Sequence, residues 1–372
     1  MLRIYCFFLV AFLAFCLFVT ETVYAQDEQE VNNDSIELVR ARVIESKEEE
    51  GYNFLLTLEI TGGSYDGQVI KLPYVQTHPD TRIEIRPGDE VLVQLAKNRE
   101  NIKAHVSEYV RDQKLLYLAL TFIFILILMG GKKGIKAVIS LIISGGFIFF
   151  VMLPMIFKGH DPILTTILIA AVASIISLLI IGGKNVKSLA AIIGTTGGVV
   201  IAGTLAIVAG SAMQITGFSD EEMQSLLFIP QQINYDYRGI LFSGMIIGAL
   251  GAVMDVGMSV ASAVEEIKLA NPSLGVMALI RAGMNVGRDI MGTMANTLIF
   301  AYTGGAVRLM LSFLAYNTPL IKIINLDLIA TEIVRALSGS IGLIIAVPIT
   351  SLAAGILYGS ISRGRISRGR FS

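Results

Sequence analysis

The runs GILFSGMIIGALGAVMDVGMSVASAVEEI (residues 239–267) and GMNVGRDIMGTMANTL (residues 283–298) decide how this chain is read. Both are apolar enough for a bilayer, yet both carry acids and amides. In the first, Gly244, Gly248, Gly251, Asp255, Ser259, Ser262 and Glu266 follow one another at steps of 4, 3, 4, 4, 3 and 4 residues. On a helix of 3.6 residues per turn they form one stripe of small and polar groups. In the second, Asn285, Asp289, Gly292 and Asn296 step by 4, 3 and 4 and form another. A carboxylate turned toward lipid at mid-depth costs about 2.5–3.5 kcal/mol even on a lenient insertion scale. The two stripes are therefore expected to face each other inside a helical bundle, with Gly244, Gly248, Gly251 and Gly292 letting the helices approach.

The rest of the chain agrees with a membrane protein. Hydrophobic residues make up 54% of the 372, and apolar runs of about 20 residues, enough to cross ~30 Å of hydrocarbon, recur through the last two thirds and are missing from residues 26–112. Acidic and basic residues balance at 30 to 29, and no basic stripe interleaved with aromatics appears, so nucleic-acid binding is not expected. Residues 1–25 read as a secretory signal, with Arg3 at its positive end, Cys6 to Val19 as its apolar core and Val23-Tyr24-Ala25 before the cleavage point. The alternative is an uncleaved anchor helix. Cys16 is a poor lipidation site because bulky Phe15 precedes it, and cleavage after Ala25 would remove both cysteines, leaving neither disulfides nor thiolate metal ligands.

Residues 26–34 form an acidic, amide-rich leader without periodicity. Residues 35–112 carry short strand patterns at Ile36–Val43, Phe54–Ile60, Val69–Leu72 and Glu90–Leu95, divided by turns such as Gly62-Gly63, Asp66-Gly67 and Arg86-Pro87-Gly88-Asp89. A small barrel of the OB or SH3 kind is expected there. Residues 113–360 form the helical membrane domain, with about seven spans near 115–130, 136–157, 163–181, 188–211, 239–264, 289–314 and 338–359. Residues 361–372 are a basic tail. The fold class is thus an α-helical polytopic membrane protein with an N-terminal extracytoplasmic β-barrel. Lys132, Lys133, Lys136, Lys184, Lys187, Lys268, Arg281, Arg288 and the arginines of the tail fall on alternate loops, which sets the barrel outside and the C-terminus in the cytoplasm.

Other local signals carry a structural reading beside a functional one. Ser219 and Glu222 are spaced as a capping box in the long loop 212–238, with Asp220 and Glu221 suiting that helix start, before Pro230. Pro154 and Pro348 should kink their spans. Gly130-Gly131-Lys132 with Gly145-Gly146 is echoed by Gly182-Gly183-Lys184 with Gly197-Gly198, either a parallel duplication of hairpins or two ordinary cytoplasmic turns. Asn271-Pro272 is expected to start a 13-residue interfacial helix, too short to span, ahead of the sixth span.

Asp255 is the most specific polar signal, since neither a helix end nor an interface accounts for it. It reads as a cation or proton site with Asn296 and Asn285 as neighbours, or as a protonated acid gluing helices together. Ser259, Ser262, Glu266, Arg288 and Asp289 complete the candidate binding set. Glu265 and Glu266 oppose the helix dipole at a C-terminus, so something else must hold them, either an interfacial pair with Lys268 or Arg288 or a role toward substrate. Asp289 sits favourably near a helix start, and Arg308 reads as a snorkelling side chain. His78, His105 and His160 lie outside the spans, and no metal site or cofactor is expected.

The run Gly248-Ala249-Leu250-Gly251-Ala252-Val253-Met254-Asp255-Val256-Gly257-Met258-Ser259, continuing to Glu265-Glu266-Ile267, together with residues 283–298, resembles the signature of the YibE/F-like family of bacterial multi-pass membrane proteins. The resemblance implies an integral membrane protein and no particular reaction. The sequence therefore supports a secondary transporter or permease for a small solute or cation, with its polar site between the fifth and sixth spans. The alternatives are a non-catalytic scaffold whose outer barrel recruits a protein partner, homo-oligomeric or otherwise, and, remotely, an intramembrane aspartyl protease using Asp255 and Asp289. Against the last, Gly287-Arg288-Asp289 lacks the Gly-x-Gly-Asp pattern, and no phosphate-binding loop supplies an ATP motor.

Overall fold

The computed structural model describes residues 36–48, 53–75, 85–98, 101–218, 223–224 and 235–360. The signal segment, the leader, His78, the Ser219–Glu222 capping box, Pro230 and the basic tail lie outside them. The chain divides into two compact units, the second of which includes everything described from Gly130 onward.

The first unit is built on strands β1 (Ile36–Glu48), β2 (Asn53–Ile60), β3 (Val69–Val75), β4 (Glu90–Asn98) and β5 (Asn101–Tyr109). They form one antiparallel sheet in the order β3-β2-β1-β4-β5. Alternation fixes which face is covered: Val39, Ala41 and Val43 of β1, Leu56, Leu58 and Ile60 of β2, and Val91, Val93 and Leu95 of β4 are all buried in one core. Register shifts between Val43 and Glu45 and between Leu92 and Val93 bend these strands. The sheet curls until the edge strands β3 and β5 approach one another. No hydrogen-bonded ladder joins those edges among the described residues, so the element is a curled sheet where a closed OB- or SH3-like barrel was expected. Strand β5 has no counterpart in the sequence reading, because its alternating positions are occupied by Lys103, His105 and Glu108 as often as by apolar groups.

Helix α1 (Asp112–Phe147) continues through a π-helical turn, Ile148–Met152, into α2 (Leu153–Phe157). Pro154 accounts for the wide turn: it donates no N–H and its ring crowds the carbonyl four residues back, so the preceding turn expands. The whole stretch Asp112–Phe157 has 46 residues, interrupted at Gly131 where φ is 53° and ψ −129°. Only glycine adopts such a conformation readily, and Gly183, its counterpart in the second Gly-Gly-Lys turn, also has positive φ (83°). The likeness between the two turns stops there. A Cβ on Gly145 would meet nothing within 4 Å, whereas one on its counterpart Gly197 would meet Ile349 Cδ1 at 2.8 Å.

The helical unit continues with α3 (Pro162–Gly182), α4 (Val186–Ala212), α5 (Tyr237–Ala270), α6 (Val276–Gly305), α7 (Val307–Ala315), α8 (Leu320–Ile324) and α9 (Asp327–Gly359). Among the described residues five helices are long and apolar enough to cross a membrane, or six if α6 and α7, bent by 53°, count as one span. Asp161, Asn185 and Asp236 cap α3, α4 and α5 by accepting from the N–H groups of Leu164, Ser188 and Gly239.

Helix α9 is the centre of this unit and packs on α4, α5 and α6. Its contact with α4 is backbone against backbone: a Cβ on Gly198 would lie 2.8 Å from Gly342 O, and one on Gly342 would lie 2.7 Å from Gly198 O. Helices come this close where small residues face each other. Buried Val253, Val256 and Val260 of α5 and Leu343, Ala346 and Val347 of α9 fill the same core.

The expected 13-residue interfacial helix is corrected. Val276–Gly305 is one continuous 30-residue helix, so that segment is its first half and the break falls at Gly304–Ala306 instead. Charged Arg281, Arg288 and Asp289 had suggested an interruption, but they share the exposed face, while Gly283 and Gly287 on the other face seat Ser351 and Val347 of α9.

Candidate functional site

Asp255 lies 18 residues from the start of α5 and 15 from its end, or roughly 27 Å and 22 Å at 1.5 Å per residue. Depth alone would place it in hydrocarbon on either side of the helix. Its direction is set by its neighbours. Met245, Ala249, Val253, Val256, Val260 and Val264 of α5 are buried, and they face α4 and α9. The stripe opposite them is open: Gly244, Gly248, Gly251, Asp255, Ser259 and Glu266 are exposed, and Ser262 is half-buried. On α6, Asn285, Arg288, Asp289, Gly292 and Asn296 are exposed as well. The expectation that the stripes close on one another inside the bundle is therefore corrected. Both flank the α5–α6 contact on the side away from α9.

That contact also fixes their register. A Cβ on Gly248 would meet Tyr302 Oη at 2.7 Å, and one on Gly283 would meet Val264 Cγ2 at 2.9 Å. The helices run antiparallel, and interpolation between these points sets Asp255 level with Thr293 and Met294, so that Asn296 lies within a turn of its depth. Asn285, Arg288 and Asp289 lie closer to the Glu266 end, with Asn285 level with Ser262 and Asp289 level with Ser259, about a turn from Asp255. Among the described residues, none of these polar side chains shares a hydrogen bond or ion pair with another side chain. Together they make a polar face about 33 Å long, from Gly244 to Glu266, close to the thickness of a hydrocarbon core.

The glycines divide into two classes. Gly194, Gly198, Gly257, Gly283, Gly287 and Gly342 stand where a Cβ would collide with a neighbouring helix. Gly244, Gly251 and Gly292, on the open face, have nothing within 4 Å of that position. Packing within the chain explains the first class and leaves the second to something outside it.

Glu265 finds a different partner from those expected. Lys187 Nζ lies 2.8 Å from its Oε2, and Tyr358 Oη donates to its Oε1 at 2.8 Å. This joint ties the start of α4 to the ends of α5 and α9. Sequence reasoning missed it because Lys187 is 78 residues away. Lys268 is instead 6% exposed, and its Nζ donates to the carbonyls of Pro272 and Leu274, closing the α5–α6 turn.

Sequence reasoning also missed buried hydroxyls where α9 meets its neighbours, with Thr195 and Thr350 at the α4 contact and Ser351 at the α6 contact. Thr195, Thr350 and Ser351 are fully buried, and their hydroxyls have no hydrogen-bond partner among the described residues. The signal was present as Thr195-Thr196 and Thr350-Ser351 within apolar runs, but such residues commonly bond their own helix and so read as inert. Among the described residues no group of three or more His, Cys, Asp or Glu could hold a metal ion.

Residues 118–360 match the family model of YibE/F-like proteins. This is more than half the chain, and the chain belongs to that family, a family of bacterial multi-pass membrane proteins. No curated protein and no solved structure matches it.

Proposed function

We propose that this YibE/F-like protein is a secondary transporter or permease in the bacterial cytoplasmic membrane, moving a small cation or solute along the α5–α6 face. One observation carries the reading: polar and small side chains run unpaired along that face for the thickness of a bilayer, with Asp255 near its middle. An acid with no partner in a nonpolar medium is costly, and intramembrane acids that persist generally touch a substrate, an ion or a proton. In this reading Asp255 and Asn296 form the deepest contact, Ser259, Ser262, Arg288 and Asp289 line the way, and Asn285 and Glu266 stand toward its inner mouth.

The orientation follows from charge. The Lys187–Glu265–Tyr358 joint, with Val276 beside Gly359, groups the ends of α4, α5, α6 and α9 that carry Lys184, Lys187 and Lys268, next to the basic tail. Positive loops favour the cytoplasmic side. The break at Gly131 divides Asp112–Phe157 into two stretches each long enough to cross, giving seven crossings, the curled sheet outside and the C-terminus inside.

A scaffold reading also has specific support, because Gly244, Gly251 and Gly292 leave room for another molecule, and the outer sheet offers a protein partner a surface. Flux separates the two. Proteoliposomes holding a pH-sensitive dye should show cation-dependent proton movement under imposed gradients of sodium, potassium or manganese, and Asp255→Asn should slow it at least tenfold. Proton movement that matches empty liposomes under all three, or an unimpaired Asp255→Asn protein with normal folding, would remove the transport reading.

A further inference from the structure

A second polar site lies where α6 gives way to α7. The 53° bend opens a cavity of about 580 Å³ between these helices and the start of α9. Its lining includes Tyr302, Ala306, Arg308, Glu332 and Arg335. Its charged side chains are Arg308 and Arg335 against the single carboxylate of Glu332. Arg308 makes no hydrogen bond or ion pair with any described residue. Arg335 Nη1 pairs with Glu332 Oε1 at 2.5 Å, while its Nε and Tyr302 Oη, the latter packed toward Gly248 of α5, are buried away from the cavity's open space. Helix α7 starts at this cavity with Ala306 in the cap position and no side chain accepting from its first turn. The leading N–H groups of a helix lack intrahelical acceptors and carry its positive end.

Two guanidiniums against one carboxylate leave a net positive charge, and an uncapped helix start adds to it. This field favours an oxyanion over a cation, within reach of Arg308 and the leading N–H groups of α7. Guanidinium forks match the spacing of phosphate oxygens and bind them in pairs. Beside the cavity, Leu311, Leu314, Leu320 and Ile321 of α7 and α8 are all at least 60% exposed, so an apolar surface adjoins the charged one.

We propose that the cavity at the α6–α7 bend binds a phosphate group, carried by a free small anion or by an anionic lipid headgroup, on Arg308, Arg335 and the start of α7. The charged groups of this site lie on α7 and α9, and it stands whether or not the α5–α6 face transports anything.

The test uses the full chain in a phosphate-free maltoside detergent, with inorganic phosphate titrated by calorimetry at constant ionic strength. Saturable binding is expected, weakened at least tenfold by Arg308→Gln. Addition of phosphatidylglycerol then identifies the source: displacement of phosphate points to a headgroup, and undisturbed binding points to a free anion, and either result upholds the site. Absence of both phosphate binding and lipid retention by native mass spectrometry would overturn the proposal. So would equal affinity in wild type and Arg308→Gln, which sits at an exposed position and should fold normally.

Discussion

Replacing Gly198 by alanine should destabilise the helical unit, and replacing Gly251 by alanine should not. At Gly198 the new Cβ would stand 2.8 Å from Gly342 O, from Ala346 Cβ and from Val253 Cγ1 at once. Ordinary contact begins near 3.4 Å, so α4 must withdraw by about 0.6 Å from both α9 and α5, and two of the three neighbours belong to the rigid backbone or to a Cβ. Overpacking of this kind costs about 1–3 kcal/mol. Alanine also gains up to ~1 kcal/mol over glycine in a helix interior. The net expected loss is therefore up to about 2 kcal/mol at Gly198. At Gly251 and Gly292 no atom lies within 4 Å of the Cβ position, and only the helix gain remains. Thermal unfolding of the detergent-purified protein reads this out: Gly198→Ala lowers the midpoint, while Gly251→Ala leaves it level or raises it. Equal midpoints for the two variants would refute the division of glycines into packed and open classes.

Other expectations follow from the joints between helices. Removing Lys187 or Glu265 singly should cost about 1–3 kcal/mol, less than for a fully buried pair because both side chains are about one-fifth to one-quarter exposed. A double-mutant cycle with Lys187→Met and Glu265→Gln should show a coupling of about 1 kcal/mol, whereas additivity would deny the pair. Lys268→Met should leave the carbonyls of Pro272 and Leu274 without their donor and cost about 1–3 kcal/mol. It should also quicken proteolysis between α5 and α6, and an unchanged cleavage rate would count against that closure. Thr216→Val removes the bond from its hydroxyl to Asp327 Oδ2, 2.7 Å long, and should lower stability by about 1–2 kcal/mol in the same melting assay.

The stripe on α5 was legible because a polar residue in an apolar helix is conspicuous, and steps of three and four place such residues on one face. Which way the face points was not legible. Val253, Val256 and Val260, which turn into the core, are as apolar as Leu168 or Val208, which are exposed, since a membrane protein is nonpolar both inside and against lipid. Only the contacts of Gly198, Gly257 and Gly339 with neighbouring helices settle the direction of α5. The length of α6 was misjudged for a related reason: Arg288 and Asp289 read as an interface crossing, whereas the helix runs unbroken past them from Val276 to Gly305. The sheet was visible wherever β1, β2 and β4 alternate, and β5 was hidden by its charged positions. The partner of Glu265 was hidden by distance along the chain, because a joint between three helix ends leaves no local pattern.

The account rests on water reaching the α5–α6 face at the depth of Asp255. With Cys6 and Cys16 changed to serine, single cysteines at Ser259 and Asn296 can be tested in liposomes with a charged, water-soluble thiol reagent, alongside a cysteine at exposed, apolar Leu168 on α3. The account predicts rapid labelling at Ser259 and Asn296 and none at Leu168. Labelling as slow at all three positions would contradict it.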